Sequence, residues 1–329
     1  ARGQPAAAAP ARPAAPASLV EEARKEREVV WYTAMNIQDA QAVAERLKTV
    51  HPFLTLTIHR QPGEKIRNRI LTETQAGQFL WDVVSVNHLD IDILNRQGLL
   101  AAYRSPETRT GFPPGAVDPE GRWAAIYVRE FVIGYNTRLV PKEQAPRDWP
   151  DLLDPKWKGK FALDADDVEW FAAMLDYWGR EKGLAFMRAL AAQQPEFRRG
   201  HTLLSQLLVA GEFPLALVFP NEVEQAKRRG APVEWVGTLD PVITSPSQIA
   251  ISARAPHPSA ARLFVDFMLS AEGQQVIRER GRVPARTDLP PGPDRLGPIP
   301  HPYYVPPRLA RELAQYEKEF RAVFFGERF

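Results

Sequence analysis

The chain has 329 residues, 44% of them apolar and 25% charged, with a net charge of +2 and no cysteine. That length accommodates two domains. The composition excludes disulfides, thiol catalysis, a Cys-based zinc site and a lipid-modified cysteine within this chain, and no Lys/Arg cluster is dense enough for a nucleic-acid stripe. No apolar run reaches 18 residues, so no membrane span is expected.

Residues 1–18 hold nine Ala and four Pro, a composition too poor in large apolar side chains to pack and expected to form a flexible tail. No charged-then-apolar leader precedes it, so either a signal has been removed or there never was one. Ser18 and Glu21 have capping-box spacing and predict a helix to about Arg27. Strands and helices then alternate. Val29–Thr33 reads as a strand, and Asn36 caps a helix to about Val50 with Ala40, Val43 and Leu47 on one face. Leu54–His59 is a second strand, Glu64–Gln75 a helix, and Leu80–Val86 a third strand. Asn87 or Asp90 then opens a helix ending near Gly98. This order predicts a parallel sheet with helices on both faces and ligands beyond the carboxyl ends of its strands. The relevant loops are Tyr32–Asn36, His59–Lys65 and Ser85–His88.

Trp123–Asn136 is β-rich and long, spanning roughly 46 Å at ~3.3 Å per residue. Alternation puts Arg129 on the side of Tyr127, Phe131, Ile133 and Tyr135, and Glu130 on the other. A charge in such a strand needs a partner or a wet cleft, so the stretch reads as one strand that leaves one domain, crosses a cleft and enters a second. The alternative is two edge strands joined by a solvated bulge. Beyond it the pattern restarts: a short strand Phe161–Leu163; helices Asp167–Tyr177, Glu181–Ala192 and Thr202–Val209; a strand Glu212–Phe219; a helix Glu222–Arg229; and a strand Val233–Val236. The return segment Ile243–Ser252 precedes helices Pro258–Leu269 and Glu272–Arg280. Eight prolines in 290–307 argue against regular structure there, and Pro307 starts a last amphipathic helix to about Phe325.

Trp149–Leu163 (WPDLLDPKWKGKFAL) resembles the signature of bacterial extracellular solute-binding proteins of ABC transporters, in the branch that contains the ferric-iron binders. LVEEARKEREVVWYT near the start, YNTRLVP at 135–141, HPSAARLFVDFMLSAEGQQ at 257–275 and GRVPAR at 281–286 agree in order. The resemblance covers about residues 18–290. It implies an α/β, two-lobe type II periplasmic-binding fold, each lobe a mixed sheet flanked by helices, joined by two chain crossings that act as a hinge. Lobe 1 would hold 19–128 and 245–329, and lobe 2 would hold 129–244. A monomer in the periplasm or outside the cell that hands cargo to a membrane permease, with no cofactor and no catalysis, is implied as well.

Ferric binders of this branch use paired tyrosines just after the strand corresponding to Glu212–Phe219. Aligned on KRRGAP, Phe219 and Asn221 stand in their places, and neither can act as a phenolate ligand for a hard cation. Tyr303-Tyr304 is a pair in the Pro-rich stretch, where a surface or packing role is expected. Asp164, Asp166, Asp167 and Glu169 precede a helix, where they can hold a cation or simply cap it. His59, Arg60 and Lys65 can meet an anion with backbone amides. His88 lies at a ligand loop, and His201 is expected at the surface. The candidate ligand-binding set is therefore Tyr32, Thr33, Asn36, Arg60, Lys65, Asn87, His88, Arg129, Asp166, Asp167, Phe219, Asn221 and Glu222. The placing of Arg129, Arg60 and Lys65 points to an anionic organic solute, and a metal ion held by Asp/Glu/His is the second reading. No Gly-x-Ser-x-Gly elbow, Gly-rich phosphate loop or His-x-x-x-His spacing is present. A hydrolase using Asp166 or Asp167 with His88 is the remaining enzymatic option.

Overall fold

The computed structural model describes residues 16–290, 295–296 and 299–327. The expected tail therefore lies, for residues 1–15, outside the described residues. In chain order the elements are α1 (Ala17–Glu26), β1 (Glu28–Thr33), α2 (Ile37–Val50), β2 (Thr55–Arg60), α3 (Gly63–Gln75), β3 (Val83–Asn87), α4 (His88–Arg96) and β4 (Ala124–Asn136). There follow β5 (Phe161–Asp164), α5 (Val168–Trp178), α6 (Arg180–Ala192), β6 (Glu196–Arg198), α7 (His201–Ala210), β7 (Leu215–Val218), α8 (Pro220–Arg228) and β8 (Val233–Trp235). The last are β9 (Val242–Ile251), α9 (Pro258–Leu269), α10 (Ala271–Glu279), β10 (Val283–Pro284), β11 (Pro302–Tyr304) and α11 (Leu313–Phe325).

The described residues divide into two compact units: 16–127, 247–280 and 284–290, and 128–246, 281–283, 295–296 and 299–327. Two strands, β4 and β9, each begin in one unit and end in the other. The long stretch is one uninterrupted strand of 13 residues.

In the first unit β1 pairs in parallel with β2 and β3, and β9 joins β3 antiparallel. Alternation sends Trp31, Val83, Ile249 and Ile251 into one apolar core with Phe264, and Tyr32, Val84, Val86 and Ala250 into another on the opposite face with Ile70 and Trp81. Burial on both faces explains why these strands read as continuous apolar runs. In the second unit β7 lies between β4, antiparallel, and β5, parallel, and β6 extends the sheet beyond β5. One core there gathers Phe131, Ile133, Trp149, Trp170, Phe171 and Leu217.

Three expectations are corrected. Helix α1 starts at Ala17 behind Pro16, with no side-chain cap, so Ser18 lies inside its first turn rather than capping it. The Pro-rich stretch contains regular structure after all, because Pro302–Tyr304 pairs in parallel with Val242–Thr244. Pro302 is the first residue of that short strand, a position that tolerates a missing N–H. Residues 295–296 and 299–327 belong with the second unit rather than the first. There α11 packs on α5 through Phe320 and Phe324 against Phe171, and Arg308 grips Asp176 at 2.6 and 2.8 Å.

Candidate functional site

In the first unit the parallel strands end in register. Thr33 lies opposite Arg60 on β2 and Ser85 on β3. Most of the expected side chains here are committed to structure. Tyr32 is buried, its hydroxyl donating to Glu73 at 3.0 Å while Arg69 covers its ring at 4.5 Å. Burial, then the Glu73 contact, pushes that phenol well above its ordinary range. Thr33 shares a hydroxyl contact of 2.6 Å with Ser85 and accepts from the Met35 amide. Asn36 and Asn87 cap α2 and α4 by accepting from the amides of Asp39 and Asp90 at 2.8 and 2.9 Å. His88 is buried in the first turn of α4. Arg60 and Lys65 are exposed, on the end of β2 and the first turn of α3. Helix α3 has no side-chain cap at Pro62, and the buried Asp90 carboxylate lies against Gly63 in its first turn.

In the second unit the expected residues come together through Ser245, which the sequence reading did not name, and through Glu169 and His201, which it named outside the ligand-binding set. Arg129 is the one exposed residue of β4. Its guanidinium, 48% exposed, donates to Ser245 Oγ at 3.2 Å, lies 3.8 Å from Glu169 Oε2, and sits 5.8 Å from the Phe219 ring. Ser245 in turn donates to Glu169 Oε1 at 2.9 Å. Phe219, the cap residue of α8, stacks on His201 with centroids 4.1 Å apart, and Phe131 meets both edge-on. His201 Nε2 contacts Asp167 Oδ1 at 2.7 Å. Burial raises the Asp167 pKa, with the His201 contact opposing it. Burial acts to lower His201, but Asp167 beside it prevails and the imidazole titrates above its ordinary value.

The acidic cluster is mostly spoken for. Asp164 accepts from the amides of Gly200 and Asp166 at 2.8 and 3.0 Å, Asp167 accepts from the Asp164 amide, and Asp166 meets Arg199 at 3.3 Å. Among the described residues no group of three or more His, Asp or Glu side chains is arranged to hold a metal ion. Glu222 accepts from Ser205 at 2.5 Å and Thr202 at 3.3 Å, and with Asn221 and Gln225 it lines a cavity of about 590 Å³ beside α7 and α8. His88 belongs to the first unit and Asp166 and Asp167 to the second, with Asp167 already engaged by His201.

The costly charge was expected at Arg129, which is in fact half exposed. The buried member of the Arg129-Glu130 pair is Glu130, 5% exposed. Burial alone pushes its carboxyl up to about 8. The protein carboxylate paired with Arg129 is Glu169, at 3.8 Å. His201, expected at the surface, is packed under Phe219. Its place at the start of an apolar helix carried no sign of that. Ser245 lies in the polar middle of β9, Thr244-Ser245-Pro246-Ser247-Gln248, where nothing local sets it apart.

This architecture, an α/β chain of two units with two strands running from one to the other, is that of the periplasmic binding proteins. The chain belongs to the bacterial extracellular solute-binding proteins, whose family model matches residues 94–300. An uncharacterized Haemophilus influenzae protein is 27% identical over 167 residues, so the chain spans about half the length of that relative, 48% of each. The Fe(3+)-binding periplasmic protein of Serratia marcescens is 22% identical over 235 residues, 68% of this chain and 69% of that one. Iron-bound HitA from Pseudomonas aeruginosa is similar at a TM-score of 0.73 and 23% identity, covering 89% of this chain and 99% of that one. AfuA from Actinobacillus pleuropneumoniae, with fructose-6-phosphate bound, is similar at 0.63 and 21%, covering 91% and 97%. At these identities the solved structures speak to fold.

Proposed function

We propose that this chain is the solute-binding component of an ABC importer. In this reading it works as a monomer outside the cytoplasmic membrane, captures a small anionic solute and passes it unchanged to a membrane permease. It carries out no catalysis and requires no cofactor. One observation carries the anionic reading: the single exposed residue of the otherwise buried β4 is Arg129, held in orientation by Ser245 and flanked by the Phe219 ring. A guanidinium offers five N–H donors in a planar fork suited to carboxylate or phosphate oxygens, and the Ser245 contact uses one of them. Arg60 and Lys65, exposed on the end of β2 and the first turn of α3, add positive charge in the first unit.

Ferric iron is the other cargo that relatives' names suggest. The donor set of this chain favours it less. Phe219 and Asn221 stand where a phenolate pair would be needed. The hydroxyls of Tyr32, Tyr103, Tyr135, Tyr177, Tyr303, Tyr304 and Tyr316 all titrate above the ordinary phenol range, through burial or a carboxylate partner. In the metal-free chain none of these phenols is poised as a phenolate, so a hard cation would itself have to drive off the proton. Native mass spectrometry of the purified protein, paired with elemental analysis, tests the proposal. The expected result is a co-purified organic or phosphorylated anion and sub-stoichiometric metal, and one iron per chain would overturn it.

A further inference from the structure

We infer that Glu169 is a specificity-determining residue of the Arg129 site: a built-in counter-ion with which an incoming anion must compete for the guanidinium. The inference rests on the anionic reading above and deepens it. Three elements meet at this point. Arg129 comes from β4, Ser245 from β9 and Glu169 from the first turn of α5. Glu169 Oε1 accepts from Ser245 Oγ at 2.9 Å, while Oε2 stands 3.8 Å from the guanidinium. Ser245 Oγ accepts from Arg129 Nη2 at 3.2 Å, so the hydroxyl bridges cation and carboxylate.

The geometry divides the carboxylate's commitments unequally. Its hydrogen bond to Ser245 is short and well formed, whereas its approach to Arg129 is at ion-pair range with no direct hydrogen bond between them. An anion with closely spaced oxygens can make the charge-assisted bonds that Glu169 does not make. Glu169 then remains anchored by Ser245 and does not have to leave the site. Its cost to the anion has two parts, the lost attraction to Arg129 and the repulsion between two neighbouring negative charges. An exposed pair is worth little, typically a few-fold in an equilibrium constant, and the repulsion adds to that. The expected sum is about five- to ten-fold in affinity. Such a counter-ion keeps weakly binding single-acceptor ions from occupying Arg129 and reserves it for ligands that gain further contacts.

The test is calorimetric titration of sulfate, an anion with closely spaced oxygens, into four forms of the full chain at low ionic strength: wild type, Glu169→Gln, Arg129→Ala and the double variant. Thermal melts establish that each form is folded. Glu169→Gln keeps the shape and the Ser245 contact but removes the charge. The inference predicts that it binds sulfate about five- to ten-fold more tightly than wild type, that the gain vanishes when Arg129 is also replaced, and that it shrinks at high salt. A merely structural Glu169 would lower affinity or leave it unchanged on substitution. Either result, with wild-type binding still dependent on Arg129, overturns the role of Glu169 and spares the anionic reading. Sulfate binding that survives Arg129→Ala undiminished, or no binding by any of the four forms, overturns that reading as well.

Discussion

Arg129 and Glu130 are neighbours that resolve opposite problems. Arg129 reaches solvent, its stem lying along apolar strand residues while its head stays wet. Glu130 points the other way, is enclosed, and has one carboxyl oxygen with no hydrogen-bond partner. Its cost is met by protonation, with burial pushing it up to about 8. The facing group that responds is Tyr304 on β11, whose phenol is raised by its own burial first and then by Glu130. In the unfolded chain the Glu130 carboxyl titrates near 4.5, so between these two values the folded state holds a proton that the unfolded state has lost. Its contribution to stability is therefore complete below about 4.5 and lost as pH rises through about 8. Glu130→Gln is expected to flatten that slope and to be at least as stable as wild type at pH 8.5, in melts taken across pH 5–9. A wild-type slope that persists in the variant would assign it to other groups. Alternation separates the two side chains, and the sequence reading placed the costly charge on Arg129. The enclosed one is Glu130, which could not be told beforehand because both faces of β4 are apolar around them.

At the scale of elements, helix propensities and caps were legible wherever the responsible contact is local. Asn36 and Asn87 accept from amides three residues on, so spacing alone reveals them. Packing partners were not legible. The stripe Tyr316, Phe320, Val323 and Phe324 announces an amphipathic last helix, but nothing local says which core it covers. It covers the second unit, with Phe320 fully buried against Phe171. Phe320→Ala is expected to cost roughly 3–5 kcal/mol, the range for emptying a buried aromatic site. Denaturant titration checks this, and a loss below about 1 kcal/mol would show α11 to be loosely attached. The strand β11 was missed for a related reason. Proline content predicts the loss of donors, but a parallel strand of three residues needs few of them. His201 belongs to the same class, since its stacking on Phe219 joins residues 18 positions apart in sequence and becomes visible only when α7 and α8 are packed.

For the molecule as a whole, the family was legible because several separated motifs occur in order, and the match over residues 94–300 agrees. The cargo was not, because a cargo site is made by side chains from distant segments, few of which stand in a motif. The departures at Phe219 and Asn221 were visible, and they yield a direct expectation. Adding a ferric salt to the protein should produce no tyrosinate charge-transfer colour in the visible range. A band abolished by replacing Tyr127 or Tyr32 would mean that iron is held by tyrosines other than the expected pair. The central claim is that an anion is captured through Arg129, and it is tested most directly by titrating the cargo identified by mass spectrometry into wild type and Arg129→Ala. Losing one side of a buried charge pair costs roughly 2–5 kcal/mol. Because this guanidinium is about half exposed, the lower end, about 2 kcal/mol or roughly 30-fold in Kd, is expected. The ligand-free melting temperature should stay nearly unchanged, since Arg129 is half exposed and makes no direct hydrogen bond to Glu169. A clear drop in that temperature with cargo affinity intact would make Arg129 a structural residue and contradict the account.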